Sequence, residues 1–162
     1  MKHFAIAAGL ALFASPAFSE AHTSDMELQG DVSAGEEAFN RQCVACHVVV
    51  NDDGETLAGR NARTGPNLYG VAMRTLGTVE DFSYSDAIVD LGEQDTVWNE
   101  ENFAGYVQDP TGWLRETLDD RRARGKMAFQ VRSEDDAYDL YAYLADVGPE
   151  IEMDDSEDGS DS

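Results

Sequence analysis

Apolar residues return at helical spacing in several stretches of the chain, and the last stretch is the most regular. Ala137, Leu140, Tyr141, Leu144 and Val147 fall at i, i+3, i+4, i+7 and i+10, which stacks them on one face of a helix. Ser133-Glu134-Asp135-Asp136 supplies its cap and Gly148-Pro149 its stop. Near the front, Val32, Ala34, Ala38, Phe39 and Cys43 lie on or near one face of a helix that Ser33-Ala34-Gly35-Glu36 opens as a capping box. Between these two, Ser85 is expected to cap a short helix over Ala87, Ile88 and Leu91. Asn99 opens another through Phe103, Tyr106 and Val107, stopped at Asp109-Pro110, and a third passes through Trp113, Leu114 and Leu118. Residues 51–66 are rich in Gly, Asn, Asp and Arg and read as a surface loop closing at Gly65-Pro66-Asn67. No stretch alternates with the period of a strand, so the expected fold class is all-α. Glycine weakens a helix unless a neighbour needs the room, so Gly35 is expected to let the last helix approach through Leu140 and Tyr143, with Phe39 filling the adjacent space.

Both ends depart from this pattern. Lys2 and His3 precede an apolar run from Phe4 to Ala14, then Ser15-Pro16 and the small-residue patterns Ala17-Phe18-Ser19 and Ser19-Glu20-Ala21. Residues 1–21 therefore read as an export signal, cut before Glu20 or His22, and the apolar run falls short of the ~20 residues that span a bilayer. Residues 150–162 carry seven acids and no base and read as a solvated tail. One folded unit is expected over residues 22–149.

Charge narrows the partners. A formal net charge of −22 excludes nucleic acid and disfavours an anionic membrane surface. Within that acidic chain, Arg115, Arg121, Arg122, Arg124, Lys126 and Arg132 crowd into one stretch.

The two cysteines of this exported chain would by default form a disulfide. Their setting, Cys43-Val44-Ala45-Cys46-His47, is C-x-x-C-H, the haem-attachment pattern. Two thiols one helical turn apart match two porphyrin vinyls, and the adjacent imidazole supplies an iron ligand. Zinc would need a second ligand pair, which the chain lacks, and a thioredoxin-like pair would need a preceding strand where a helix is expected. An incidental disulfide beside His47 is the remaining alternative.

The opposite iron face decides the chemistry, because an open face binds small ligands and a closed one favours electron transfer. Met127, in Gly125-Lys126-Met127-Ala128-Phe129, lies between the basic stretch and the last helix. On spacing alone it is either a second ligand or a core gap-filler. His22, near the mature N-terminus, is the runner-up ligand.

With these motifs in order, residues 35–144 resemble class I cytochromes c, most of all the bacterial periplasmic c2 and c-550 kind. The resemblance implies short helices wrapped around one covalently bound haem c, with His47 and Met127 as axial ligands. It further implies that the Pro66 carbonyl accepts the other His47 ring N–H, that Arg74, Tyr84 and Trp98 surround the propionates, that Tyr106 donates toward the Met127 sulfur, and that Phe129 lies beside the exposed haem edge. Gly125 stands where relatives commonly have threonine, and the segment between His47 and Gly65 is longer than in the mitochondrial form. The expected role is that of a monomeric periplasmic electron carrier rather than an enzyme, with a cytochrome bc1 complex as donor. Its acceptor would be cytochrome c oxidase or another periplasmic redox enzyme: a peroxidase, a nitrite reductase or a photosynthetic reaction centre. Arg121, Arg122, Arg124 and Lys126 are expected to ring the haem edge and steer it to acidic docking surfaces. The main rival is a haem enzyme or gas sensor; the c′ type argues against itself here, since it carries C-x-x-C-H near the C-terminus.

Overall fold

The structure, a computed structural model, describes residues 28–151. The signal at 1–21, His22, and all of the acidic tail beyond residue 151 lie outside the described residues. Five helices occur in the expected order. The first, α1 (Val32–Gln42), is capped by Asp31 rather than by Ser33: the Asp31 carboxylate accepts the Ala34 N–H at 2.8 Å. Aspartate caps as well as serine, so two adjacent candidates competed and the register of the first turn chose between them. α2 (Asp86–Gly92) and α3 (Glu100–Gln108) follow, the latter capped by Asn99 on the Asn102 N–H at 2.8 Å. Asp109 ends α3 and caps α4 (Pro110–Thr117), whose first residue is a proline that needs no N–H partner. α5 (Glu134–Asp146) is capped by Ser133 on the Asp136 N–H at 3.2 Å.

Residues 51–66 are not a plain loop. Strands β1 (Val49–Val50) and β2 (Thr56–Ala58) pair antiparallel, Val49 with Ala58 and Val50 with Thr56. Two- and three-residue strands are too short to show alternation, which is why the pattern hid them. A side chain stands in for the missing third strand: Asn67 accepts from Val50 N at 2.9 Å and donates to Val50 O at 2.7 Å. Val49 and Ala58 turn inward and close the core on that side.

α1 lies across α5, and α3 packs on α5 and α4. At the α1–α5 crossing a Cβ on Gly35 would run into the Asp139 carbonyl and sit 2.7 Å from Tyr143 Cβ, so the backbones meet where only glycine fits. Phe39, fully buried, packs its ring 5.7 Å from that of Tyr143, and Leu140, Tyr141 and Leu144 complete the contact. Each such side chain contributes about 1.5–3 kcal/mol on burial. Arg41 and Gln42 both reach the Asp136 carboxylate, at 3.0 and 2.6 Å, and Asp31 N donates to Asp139 Oδ1 at 2.7 Å. No helix among the described residues is long and apolar enough to cross a membrane.

Gly35→Ala should lower the unfolding free energy by about 1–3 kcal/mol despite the better helix propensity of alanine, because the overpacking cost exceeds the ~1 kcal/mol propensity gain. Denaturant titration of the variant measures it; equal or greater stability would show that the crossing has slack.

Candidate functional site

The last turn of α1 runs straight into the cysteine motif. Cys43 N donates to Phe39 O at 2.9 Å, Cys46 N to Cys43 O at 3.0 Å, and His47 N to Cys43 O at 2.9 Å. The chain therefore stays wound through His47, with both thiols half-buried and unbridged. Burial, reinforced by Cys46 and opposed by Arg41, pushes the Cys43 thiol up to about 12. A thiol that keeps its proton at neutral pH is a poor redox nucleophile, which weakens the thioredoxin-like alternative.

His47 is oriented by backbone. Its Nδ1 lies 3.0 Å from the Pro66 carbonyl, which can only accept, so Nδ1 carries the proton and the Nε2 lone pair is left to bind. Burial holds the imidazole below its usual pKa, against the opposing pull of the Pro66 bond, which keeps it neutral. Gly65 N donates to Cys46 O at 2.8 Å, and a Cβ on Gly65 would stand 2.5 Å from Nδ1 and 2.7 Å from Nε2. Glycine there is what lets the loop pass against the ring.

The other singled-out residues fall into two groups. Trp98, Tyr106 and Trp113 form an aromatic cluster, with ring centroids 5.0 Å (Trp98–Tyr106), 5.9 Å (Trp98–Trp113) and 5.8 Å (Tyr106–Trp113) apart. The sequence points to the first two as site residues and to Trp113 only as part of a helix face. Arg74 turns inward, donating to Tyr69 O at 2.8 Å and Asn67 O at 3.3 Å. Its charge opposes the burial that pushes the nearby Tyr84 phenol up. The second group is the segment leading into Met127. Arg115 Nε and Arg124 Nη1 donate to the same Ala123 carbonyl, at 3.2 and 2.9 Å, and Gly125 N donates to Thr111 Oγ1 at 3.3 Å. Lys126 Nζ reaches Ser83 O at 2.7 Å and Ser83 Oγ at 3.0 Å, so this amine is engaged within the protein. Met127 is half-buried against the core, and Phe129 is 46% exposed. Arg121, Arg122 and Arg124 are exposed, with Arg122 3.5 Å from Asp120.

This donor set fits a covalently held haem: two free thiols on one turn, one imidazole with an oriented lone pair, and a half-buried thioether. One further side chain fits, and sequence reasoning missed it. Ser85 occupies the cap position of α2 yet makes no capping bond, and its buried Oγ has no partner. A buried hydroxyl without a partner costs about 1–3 kcal/mol, and a carboxylate such as a propionate would satisfy it. The expected Ser85 cap is therefore not made, and only the tertiary structure shows it, since serine before a helix ordinarily caps.

Comparison with known proteins places these features in context. No family model matches the chain. A cytochrome c2 of Rhodovulum adriaticum is 58% identical over 123 residues, covering 76% of this chain and 97% of that protein. A cytochrome c-551 of Roseobacter denitrificans is 45% identical over 146 residues, 90% of this chain and 95% of its own length. Among solved structures, cytochrome c2 from Rhodobacter sphaeroides superposes with a TM-score of 0.72 at 50% identity, over 74% of this chain and 98% of that one.

Burial, with the neighbouring Tyr84 adding to it, pushes the Tyr106 phenol up to about 12 from its ordinary value of 10.0. Between those values the unfolded chain holds fewer protons than the folded one, so stability falls as pH rises through the window. Tyr106→Phe should flatten that decline in denaturant titrations from pH 10 to 12. An unchanged slope would mean the phenol titrates like a surface tyrosine.

Proposed function

The chain belongs to the cytochrome c2 and c-550 family of class I cytochromes c, and from that membership we propose that this mono-haem electron carrier works in the periplasm between a cytochrome bc1-type donor and a terminal oxidase or other periplasmic redox enzyme. The haem c, one per chain and covalently attached, supplies a one-electron ferric/ferrous couple when bound. The observation that carries the reading is the pairing of two unbridged thiols with an imidazole whose Nδ1 is tied to Pro66.

Each residue then has a task. Cys43 and Cys46 would hold the haem through thioethers, and His47 would bind its iron through Nε2. Met127 would supply the second protein ligand to the iron, from a segment held in place by Arg115, Thr111 and Lys126. A sulfur ligand favours the ferrous state, so a fairly positive potential follows. Arg74, Tyr84 and Trp98 screen the propionates, Tyr106 donates toward the Met127 sulfur, and Phe129 shields the exposed edge. Arg121, Arg122 and Arg124 lead the docking of acidic partners; Lys126 contributes charge from a fixed position on Ser83. Residues 1–21 direct export and are removed.

The ferric protein should show a weak far-red band from sulfur ligation that Met127→Ala and Met127→His both abolish, with the histidine variant shifted to lower potential. Its absence from the unsubstituted protein, or ready carbon monoxide uptake by the ferrous form at neutral pH, would defeat the ligand assignment. Neutralising Arg121, Arg122 and Arg124 together should slow oxidation by a partner oxidase about tenfold or more at low salt and reduce its salt dependence. Stopped-flow kinetics measure both, and an unchanged rate and slope would remove the docking role.

A further inference from the structure

Tyr141 is the largest fully buried side chain among the described residues, and it carries a hydroxyl where the helix face calls only for apolar filling. Its ring packs 5.5 Å from that of Phe103, a contact phenylalanine would make equally well. The oxygen has a separate use: it donates to the Trp98 carbonyl at 3.0 Å, joining α5 to a residue 43 positions earlier. Burial raises the phenol against the opposing Met73 amide, so the hydroxyl keeps its proton and stays a donor at neutral pH.

That carbonyl belongs to a short paired segment holding two of the residues expected around the propionates. Met73 N donates to the same Trp98 oxygen at 2.9 Å, Trp98 N to Arg74 O at 2.9 Å, and Leu76 N to Thr96 O at 3.0 Å, with Thr75 bridged antiparallel to Val97. So brief a pairing is marginal by itself. Met73 is moreover strained, with a φ of 59° that side-chain-bearing residues rarely adopt, and such a conformation persists only where neighbours over-determine it. Arg74 is half-buried, gives its hydrogen bonds to the Tyr69 and Asn67 carbonyls, and is paired with no carboxylate among the described residues. A guanidinium has five N–H donors, so this one has capacity left for an anion.

We propose that Tyr141 is a positioning residue for the redox centre: by holding the Trp98 carbonyl, its hydroxyl fixes Arg74 and Trp98 in the arrangement that serves the haem propionates. The proposal rests on the reading of those two residues as propionate partners and names what keeps them in place. α5 is the common reference. Tyr143 meets α1, which leads into the cysteine motif, while Tyr141, two residues and about 200° away around the helix, meets Trp98. The attachment motif and the propionate partners are thereby registered against one helix. A guanidinium held near the iron favours the ferrous state by simple electrostatics, so the tie acts to raise the potential.

The test uses haem-loaded protein carrying Tyr141→Phe, or carrying para-aminophenylalanine in place of Tyr141, which keeps an N–H donor at the end of the ring. Both retain the ring packing, and far-UV circular dichroism checks the fold. Tyr141→Phe should lower the midpoint potential in the same direction as Arg74→Gln and by less. Amide hydrogen exchange at Met73 and Trp98 should quicken about three- to tenfold beyond any change at Ala38 and Phe39 in α1. The aminophenylalanine protein should recover both properties. An unaltered potential overturns the proposal even where the thermal midpoint falls, because a hydroxyl that only stabilises the core would leave the potential alone. An equal fall in both Tyr141 variants, or a shifted potential without the local change in exchange, overturns it too. If Arg74→Gln and Trp98→Phe leave the potential unmoved, the propionate reading fails and this proposal with it; if they move it and Tyr141→Phe does not, only this proposal fails.

Discussion

The backbone crossing of α1 over α5 is the contact on which the site depends. Gly35 lets the two chains meet, Phe39 and Tyr143 fill the flanks, and the Arg41, Gln42 and Asp31 contacts to α5 tie both ends of α1. A helix turns by about 100° per residue, so a one-residue slip of α1 would carry Cys43, Cys46 and His47 to another face. The crossing therefore sets the direction in which all three side chains leave the core.

From that fixed point the chain orients its donors with backbone more than with side chains. The Pro66 carbonyl selects the His47 tautomer, Gly65 passes against the ring, and the β1–β2 hairpin is held to the same loop by the Asn67 amide. Backbone groups carry no titratable charge, so this orientation does not change with pH. On the other side, the segment before Met127 is secured by α4 through Arg115 and Thr111 and by Ser83 through Lys126. Three anchors from separate parts of the chain limit how far that segment can swing, which suits a carrier whose surroundings should rearrange little when its charge changes.

Charge is segregated in the same way. Acids cover the helices, while bases gather in acid-free segments around the motif, Pro66 and Met127. Some of these bases serve the fold and others face solvent, a division invisible in a count of charges. Lys126 illustrates it: by position it belongs to the basic stretch, but its amine is bound to Ser83.

Sequence by itself marked the helices and the family and named the donor set that the proposed function uses. Apolar spacing marks a helix without reference to any other part of the chain, and C-x-x-C-H is a local chemical unit. The choice of Asp31 over Ser33 as cap, the short hairpin inside residues 49–58, the uncapped hydroxyl of Ser85 and the joining of Trp113 to Trp98 and Tyr106 were decided only by tertiary structure. Each depends on groups distant along the chain or on a register that neighbours select, and a pattern of local spacing contains neither.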